Sequence, residues 1–180
     1  MVDTAQSAYY VLTEARDYLR TYLNAAGEVG TINGETIVSG HAAPDVESKD
    51  IMVSESRVPP QNQQWVLLGL AGTSERLGLN TSVSRTTYRL TVTTGIRSQT
   101  WNTAAATQGV TTEDAGWLRA HLLARAAHSV IQRYLQASAG IYGVTHAGTT
   151  TRTQRAKNPD VYEIENRFDV MVRTDNTANS

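Results

Sequence analysis

Near the start of the chain, apolar residues recur at helical spacing. Ala8, Val11, Leu12, Ala15, Tyr18, Leu19, Tyr22, Leu23 and Ala26 share one face of a helical wheel, and Arg16, Asp17, Arg20, Thr21 and Asn24 take the other. The pattern predicts an amphipathic helix over about 5–26, closed by Gly27, because glycine enters the left-handed C-terminal cap without a Cβ clash. A second helical pattern follows Thr111 and Thr112, either of which can cap it, and Glu113 and Asp114 suit its positive N-terminal end. Its apolar arc holds Trp117, Ala120, Leu123, Ala124, Ala127, Val130, Ile131, Tyr134 and Leu135, so a long helix over about 112–137 is expected to lie on a sheet. Arg125, His128, Ser129, Gln132, Arg133 and Gln136 form the opposite arc.

Elsewhere the period is two. Tyr88, Leu90, Val92, Thr94 and Ile96 alternate with Arg89, Thr91 and Thr93, the signature of a strand with one face on a core and one in water. After Pro159 and Asp160, Tyr162, Ile164, Phe168, Val170 and Val172 point one way, while Glu163, Glu165, Arg167, Asp169 and Arg173 point the other. Shorter signals add a hairpin turning at Asn33-Gly34, a strand at 51–54, an apolar run from Trp65 to Leu70 after Pro59-Pro60, and a strand from Ile141 to about Thr150. Residues 72–84 read as an exposed loop, which makes 27–84 a loop-rich region with short strands, and the polar tail DNTANS at 175–180 reads as frayed. The expected architecture is one α+β domain over 1–180: a mainly antiparallel sheet packed by an N-terminal amphipathic helix and one long helix in the second half.

Composition narrows the partners. A chain of 180 residues and 19.6 kDa suits one domain with a sizeable core. Sixteen Lys and Arg against seventeen Asp and Glu leave a formal charge of -1, so no global field draws the chain to nucleic acid or an anionic membrane. With no cysteine, disulfides, thiolate metal sites and a Cys nucleophile are excluded. Charges at Asp3, Glu14, Arg16 and Asp17 interrupt any signal-peptide pattern, and no segment has the apolar length of a membrane span; a soluble chain made in the cytoplasm is the expectation.

Candidate chemistry is sparse. His41, Asp45, Glu47 and Asp50 form a ligand set for a divalent ion, and Asp45 with Glu47-Ser48-Lys49 shares residue types with metal-dependent nucleases. Here they are contiguous in one stretch rather than drawn from two strands, so a solvated loop competes with a metal-dependent hydrolase site. His121 and His128 share the polar side of the long helix, but two turns separate them by roughly 10 Å, too far for one ion. Gly72-Thr73-Ser74-Glu75-Arg76 lacks the second glycine of a nucleophile elbow, and no phosphate-binding glycine motif occurs. No catalytic residue, metal or cofactor is therefore assigned.

Two features suit macromolecular contact. Arg152, Arg155 and Lys157, with His146 nearby in sequence, concentrate positive charge on the loop of the closing hairpin, fit for a phosphate or an acidic protein surface, although a solvated loop tip is the plainer reading. Leu118 and Leu122 fall among the polar residues of the long helix, one turn apart and beside Arg125; they suit a subunit interface, or else cover by a loop of the same chain.

In its order of parts, the opening helix, the strand YRLTVTTGI, the long helix WLRAHLLARAAHSVIQRYL and the closing strand VYEIENRFDVMV, the chain resembles the tail-terminator proteins of long-tailed bacteriophages. The likeness covers most of the chain and rests on architecture, without an invariant motif. It implies a non-enzymatic virion protein, assembled in the host cytoplasm, that forms a hexameric ring at the head-proximal end of the tail. Such a ring caps the tail tube, stops its polymerisation, meets a neck or head-completion protein, and passes genomic DNA through its lumen. A neck stopper or a tube subunit belongs to the same class. From other classes, a metal-dependent hydrolase using His41, Asp45, Glu47 and Asp50, or a small ligand-binding module, are the alternatives.

Overall fold

The structure, a computed structural model, describes residues 4–24, 31–32, 35–36, 46–53, 64–77, 83–97, 112–154 and 161–175. The N-terminal helix α1 runs Thr4–Tyr22, and Val11, Ala15, Leu19 and Leu23, four residues apart, form its fully buried ridge. It ends four residues before the expected Ala26, for a visible reason. Leu23 and Asn24 turn off the helix, and the Asn24 side chain clamps Val46 with two bonds: Nδ2 donates to the Val46 carbonyl at 3.1 Å, and the Val46 amide donates to Oδ1 at 3.0 Å. Arg20, in the last turn, donates to the Ile51 carbonyl at 2.9 Å, so the helix end is stitched to the chain that enters the sheet. The expected cap, Gly27, lies outside the described residues.

Strands β1 (Thr31–Ile32) and β2 (Glu35–Thr36) pair antiparallel, as the Asn33-Gly34 signal predicts. The main sheet contains β3 (Ile51–Val53), β4 (Gln64–Leu77), β5 (Val83–Arg97), β6 (Ile141–Gln154) and β7 (Val161–Asp175), in the order β3-β4-β5-β7-β6. Only β3 and β4 run parallel; the other pairs are antiparallel. The central pair β5–β7 stays in register from Val83↔Asp175 to Arg97↔Val161 without a break.

Both helices pack on one face. From β5, Tyr88, Leu90, Val92 and Ile96 meet Tyr162, Ile164, Phe168, Val170 and Val172 of β7, and the second helix α2 (Thr112–Tyr134) covers them with Leu123, Ala127, Val130 and Ile131. A short 3-10 turn, Leu135–Ala137, carries α2 to the length its sequence predicts. Ser7 of α1 is hydrogen-bonded to the buried hydroxyl of Tyr88, which satisfies the one polar atom of that core tyrosine. Tyr22 stacks on Tyr134 at 3.9 Å between centroids and nearly parallel, and Tyr18 joins them, so tyrosines bind α1 to α2. This is the α+β architecture that the hydrophobic pattern predicts.

Two expectations are corrected. Much of 72–84 is strand, because β4 continues to Leu77 and β5 begins at Val83, with a register irregularity between Leu70 and Gly72. The distal part, Gly72-Thr-Ser-Glu-Arg, has no apolar alternation to advertise a strand; backbone hydrogen bonds to β5 hold it there. Similarly, β6 continues past Thr150 to Gln154, and β7 takes in Asp175 of the expected tail. Residues 176–180 lie outside the described residues. No described helix is long and apolar enough to cross a membrane.

Candidate functional site

Of the residues singled out in the sequence, Arg152 sits within β6 rather than on a loop, exposed and opposite Glu163 of β7. Arg155 and Lys157 lie outside the described residues. On α2, Leu122 is half-buried and Arg125 exposed, and Leu118 falls within the helical backbone. Leu122 is thus partly covered rather than standing free.

The acidic stretch is divided. His41 and Asp45 lie outside the described residues. Glu47 is exposed and paired with Lys49, Oε2 to Nζ at 2.6 Å, whereas Asp50 is buried at the end of the 3-10 turn that leads into β3. One carboxylate is held in an ion pair and the other is turned into the fold, so the two do not converge. Among the described residues no group of three potential ligands gathers.

The structure assembles a polar cluster where α2 crosses β6 and β7. In an unbroken strand His146 and Thr149 would face opposite sides, being three residues apart. A bulge between His146 and Gly148 adds one residue and restores both to the helix side; Gly148 sits at φ 144, a backbone state that a side chain rarely adopts. His146 Nε2 lies 3.0 Å from Thr149 Oγ1, Thr149 donates to Asn166 Oδ1 at 2.7 Å, and Asn166 Nδ2 donates to the carbonyl of Ala124 at 3.1 Å. His128 on α2 lies against His146, 4.6 Å between ring centroids, and both rings touch Phe168.

The directions of these bonds limit the chemistry. Because the Thr149 proton is committed to Asn166, the His146 ring must donate to Thr149 rather than accept from it. That is the reverse of what activating a threonine nucleophile requires. What the cluster does is seat α2 on the sheet: Asn166, buried in the apolar row of β7, ties a helix carbonyl to β6. Burial pulls the His128 pKa below its ordinary value, a hydrogen bond with Gln132 opposes the shift, and neighbouring His146 adds to it. His121, also half-buried, is lowered by burial alone.

Sequence reasoning overlooked Asn166 and the pairing of His146 with His128. Asn166 stands at a core-facing register position, so alternation alone marks it as buried. The glycine inside the β6 pattern, Gly148, was the signal for a bulge and hence for a change of face.

The opposite face of the sheet is different. Arg85, Arg89, Thr145, Arg152, Met171 and Arg173 are exposed on the strands, and no described helix lies against them. Arg89 grips Asp169 through two bonds, 2.9 and 3.1 Å, and Arg167 donates to Thr150 at 2.8 Å. At β4 this face carries Trp65, fully buried, whose ring lies where a Cβ on Gly95 would stand.

Against known proteins, neither the models of protein families nor the curated sequences provide a match to this chain.

Proposed function

We propose that this chain is a structural subunit of the tail-terminator type, forming a ring that caps the tail tube of a long-tailed bacteriophage, stops its polymerisation and joins it to the head or neck. The observation that carries this reading is β6, a strand of 14 residues at the edge of the sheet, bordering a face on which no described helix packs. A long edge strand presents a row of unpaired backbone groups and invites another chain; proteins that stay monomeric keep such edges short or covered. An assembling subunit has a use for it. The fold agrees with the order of parts that the resemblance rests on, and the hydrogen-bond directions at Thr149 give that residue no catalytic role.

In this reading the ring is homo-oligomeric and hexameric, its neighbours are the tail tube protein and a neck or head-completion protein, and no cofactor takes part. Leu118, Leu122 and Arg125 on α2 contribute to subunit contact, and the closing hairpin with Arg152, Arg155 and Lys157 meets a partner or passing DNA. Native mass spectrometry and electron microscopy of the purified chain, alone and with tail tube protein, test it. A closed ring is expected, formed alone or on the tube as template. An assembled particle that contains this chain as an isolated monomer would overturn the reading.

A further inference from the structure

A pair of histidines stands side by side where α2 crosses β6. His128 and His146 hold their rings 4.6 Å apart between centroids, tilted by 42°. No carboxylate explains the pairing among the described residues: α2 from Ala120 to Tyr134 contains no Asp or Glu, and the buried positions of β7 are apolar apart from Asn166. Each ring is instead anchored from outside the pair. His146 donates its Nε2 proton to Thr149, whose own proton goes to Asn166, so Nδ1 of the neutral ring is a bare lone pair. The hydrogen bond between His128 and Gln132 favours the protonated ring, so His128 donates there and its other nitrogen is bare. Burial, with neighbouring His146 adding to it, lowers the His128 pKa and keeps that ring neutral at neutral pH. One outward bond per imidazole, fixing the tautomer and leaving the second nitrogen open, is the arrangement of a metal-ligating histidine.

We propose that His128 and His146 together bind one divalent late transition-metal ion, of the copper, nickel or zinc class, which pins α2 to β6. Two imidazoles on one ion, with metal–nitrogen bonds of about 2.1 Å, have centroids about 4.6 Å apart at right angles and about 5.3 Å apart at the tetrahedral angle. The separation in the structure lies at the start of that range, so the rings need move little. Phe168 touches both rings, with centroids 5.3 and 5.5 Å away, and gives the pair an apolar wall. Both histidines are half-buried and Thr149 is exposed, so an ion can enter from solvent. No group of three side-chain ligands gathers among the described residues, and water completes the coordination. Imidazole selects copper, nickel and zinc, whereas magnesium and calcium favour carboxylates, which the pair lacks among the described residues. An ion held from helix and strand reinforces the seat that Asn166 already makes between Ala124 and Thr149. The site lies within one chain and does not depend on the ring reading.

The test is isothermal titration of the untagged, chelator-treated full chain with Zn2+ and with Cu2+ at pH about 7.5. One ion per chain is expected, with binding lost in His128→Gln and in His146→Gln. His121→Gln, which removes another half-buried histidine of α2, should keep it. Zn2+ should raise the Tm of the parent and leave that of either variant unchanged, because the ion binds the folded pair; Mg2+ should raise neither. Affinity should fall as pH drops through the histidine range, since both rings must be deprotonated to bind. Electron paramagnetic resonance with one equivalent of Cu2+ counts the ligands on the unaltered chain, so the outcome does not rest on whether a variant folds. Splitting from two imidazole nitrogens is expected. Splitting from one or none, absence of Zn2+ and Cu2+ binding, or binding that survives in His128→Gln would each overturn the proposal.

Discussion

The two faces of the β5–β7 pair share one hydrogen-bond ladder and differ in almost everything else. Toward the helices, Leu90 and Val92 lie beside Phe168 and Val170, all buried. Toward the opposite side, Arg89 lies beside Asp169 and Arg85 beside Arg173. The backbone cannot tell these faces apart, so the side chains alone divide the work. The helix-covered face supplies most of the burial that makes the chain fold; the other is buried where Trp65 meets Gly95 and exposed at Arg85, Arg89 and Arg173. Substitutions on the two faces should therefore fail in different ways.

The largest contrast comes from charging α2. Ile131 is completely buried among the core residues, so Ile131→Asp places an unpaired carboxylate there and should destabilise the fold by several kcal/mol, leaving insoluble or unfolded protein. Leu122 is only half-buried, and a carboxylate at its position can reach water. Leu122→Asp should keep a cooperative thermal transition while weakening ring formation or particle rescue. Equal unfolding of the two variants would place Leu122 in the chain's own core and remove it from the proposed interface.

Next in size is Gly95→Ala, which tests whether the open face is tolerant along its whole length. A Cβ on Gly95 would lie 2.0 Å from Trp65 Cε2, and the obstacle is a rigid, fully buried ring rather than a flexible chain end. Overpacking of this kind costs about 1–3 kcal/mol. Thermal unfolding should show the loss, and tryptophan fluorescence should shift as the ring is displaced. No change in either would mean that the ring can move aside and that this corner of the sheet is permissive.

Those residues also mark where the sequence was legible. In β5 and β7 the apolar period matches burial, so the strands and their core faces were readable; α1 and α2 were readable for the same reason, with Val11, Ala15, Leu19, Ala127 and Ile131 all buried as expected. The distal half of β4 was not, because its strand is maintained by backbone pairing that leaves no pattern in the side chains. The His146–Thr149–Asn166 cluster was hidden differently: a bulge changes which face each residue occupies, and counting by twos cannot anticipate it. The register pairing of Arg85 with Arg173 was invisible for a third reason, since the two are neighbours only through pairing across strands far apart in sequence.

A smaller effect concerns pH and belongs to the helix side. The His128 pKa is lowered by burial, so the folded state prefers the neutral ring and the unfolded state takes up the proton first. The stability it contributes is complete above the ordinary value of 6.5 and is lost as pH falls from there through the folded value. His121 acts in the same direction. Tm should fall on acidification from pH about 7.5 to about 5.5, and the drop should be shallower in His128→Gln, which has no ring to protonate. An identical pH profile in that variant would mean that the fall arises elsewhere.

The smallest effect returns to the open face, at its best-formed ion pair. Arg89 reaches Asp169 with two parallel bonds across the central strands, geometry that favours a measurable contribution. Both side chains remain substantially exposed, 49% and 35%, so water and salt screen the attraction. A double-mutant cycle with Arg89→Ala and Asp169→Ala, read by denaturant unfolding, should give a small favourable coupling that shrinks as salt is added. A large coupling that salt does not weaken would show instead that the pair is part of the folding core, and Arg89 would then belong with the buried part of its face rather than with the exposed part.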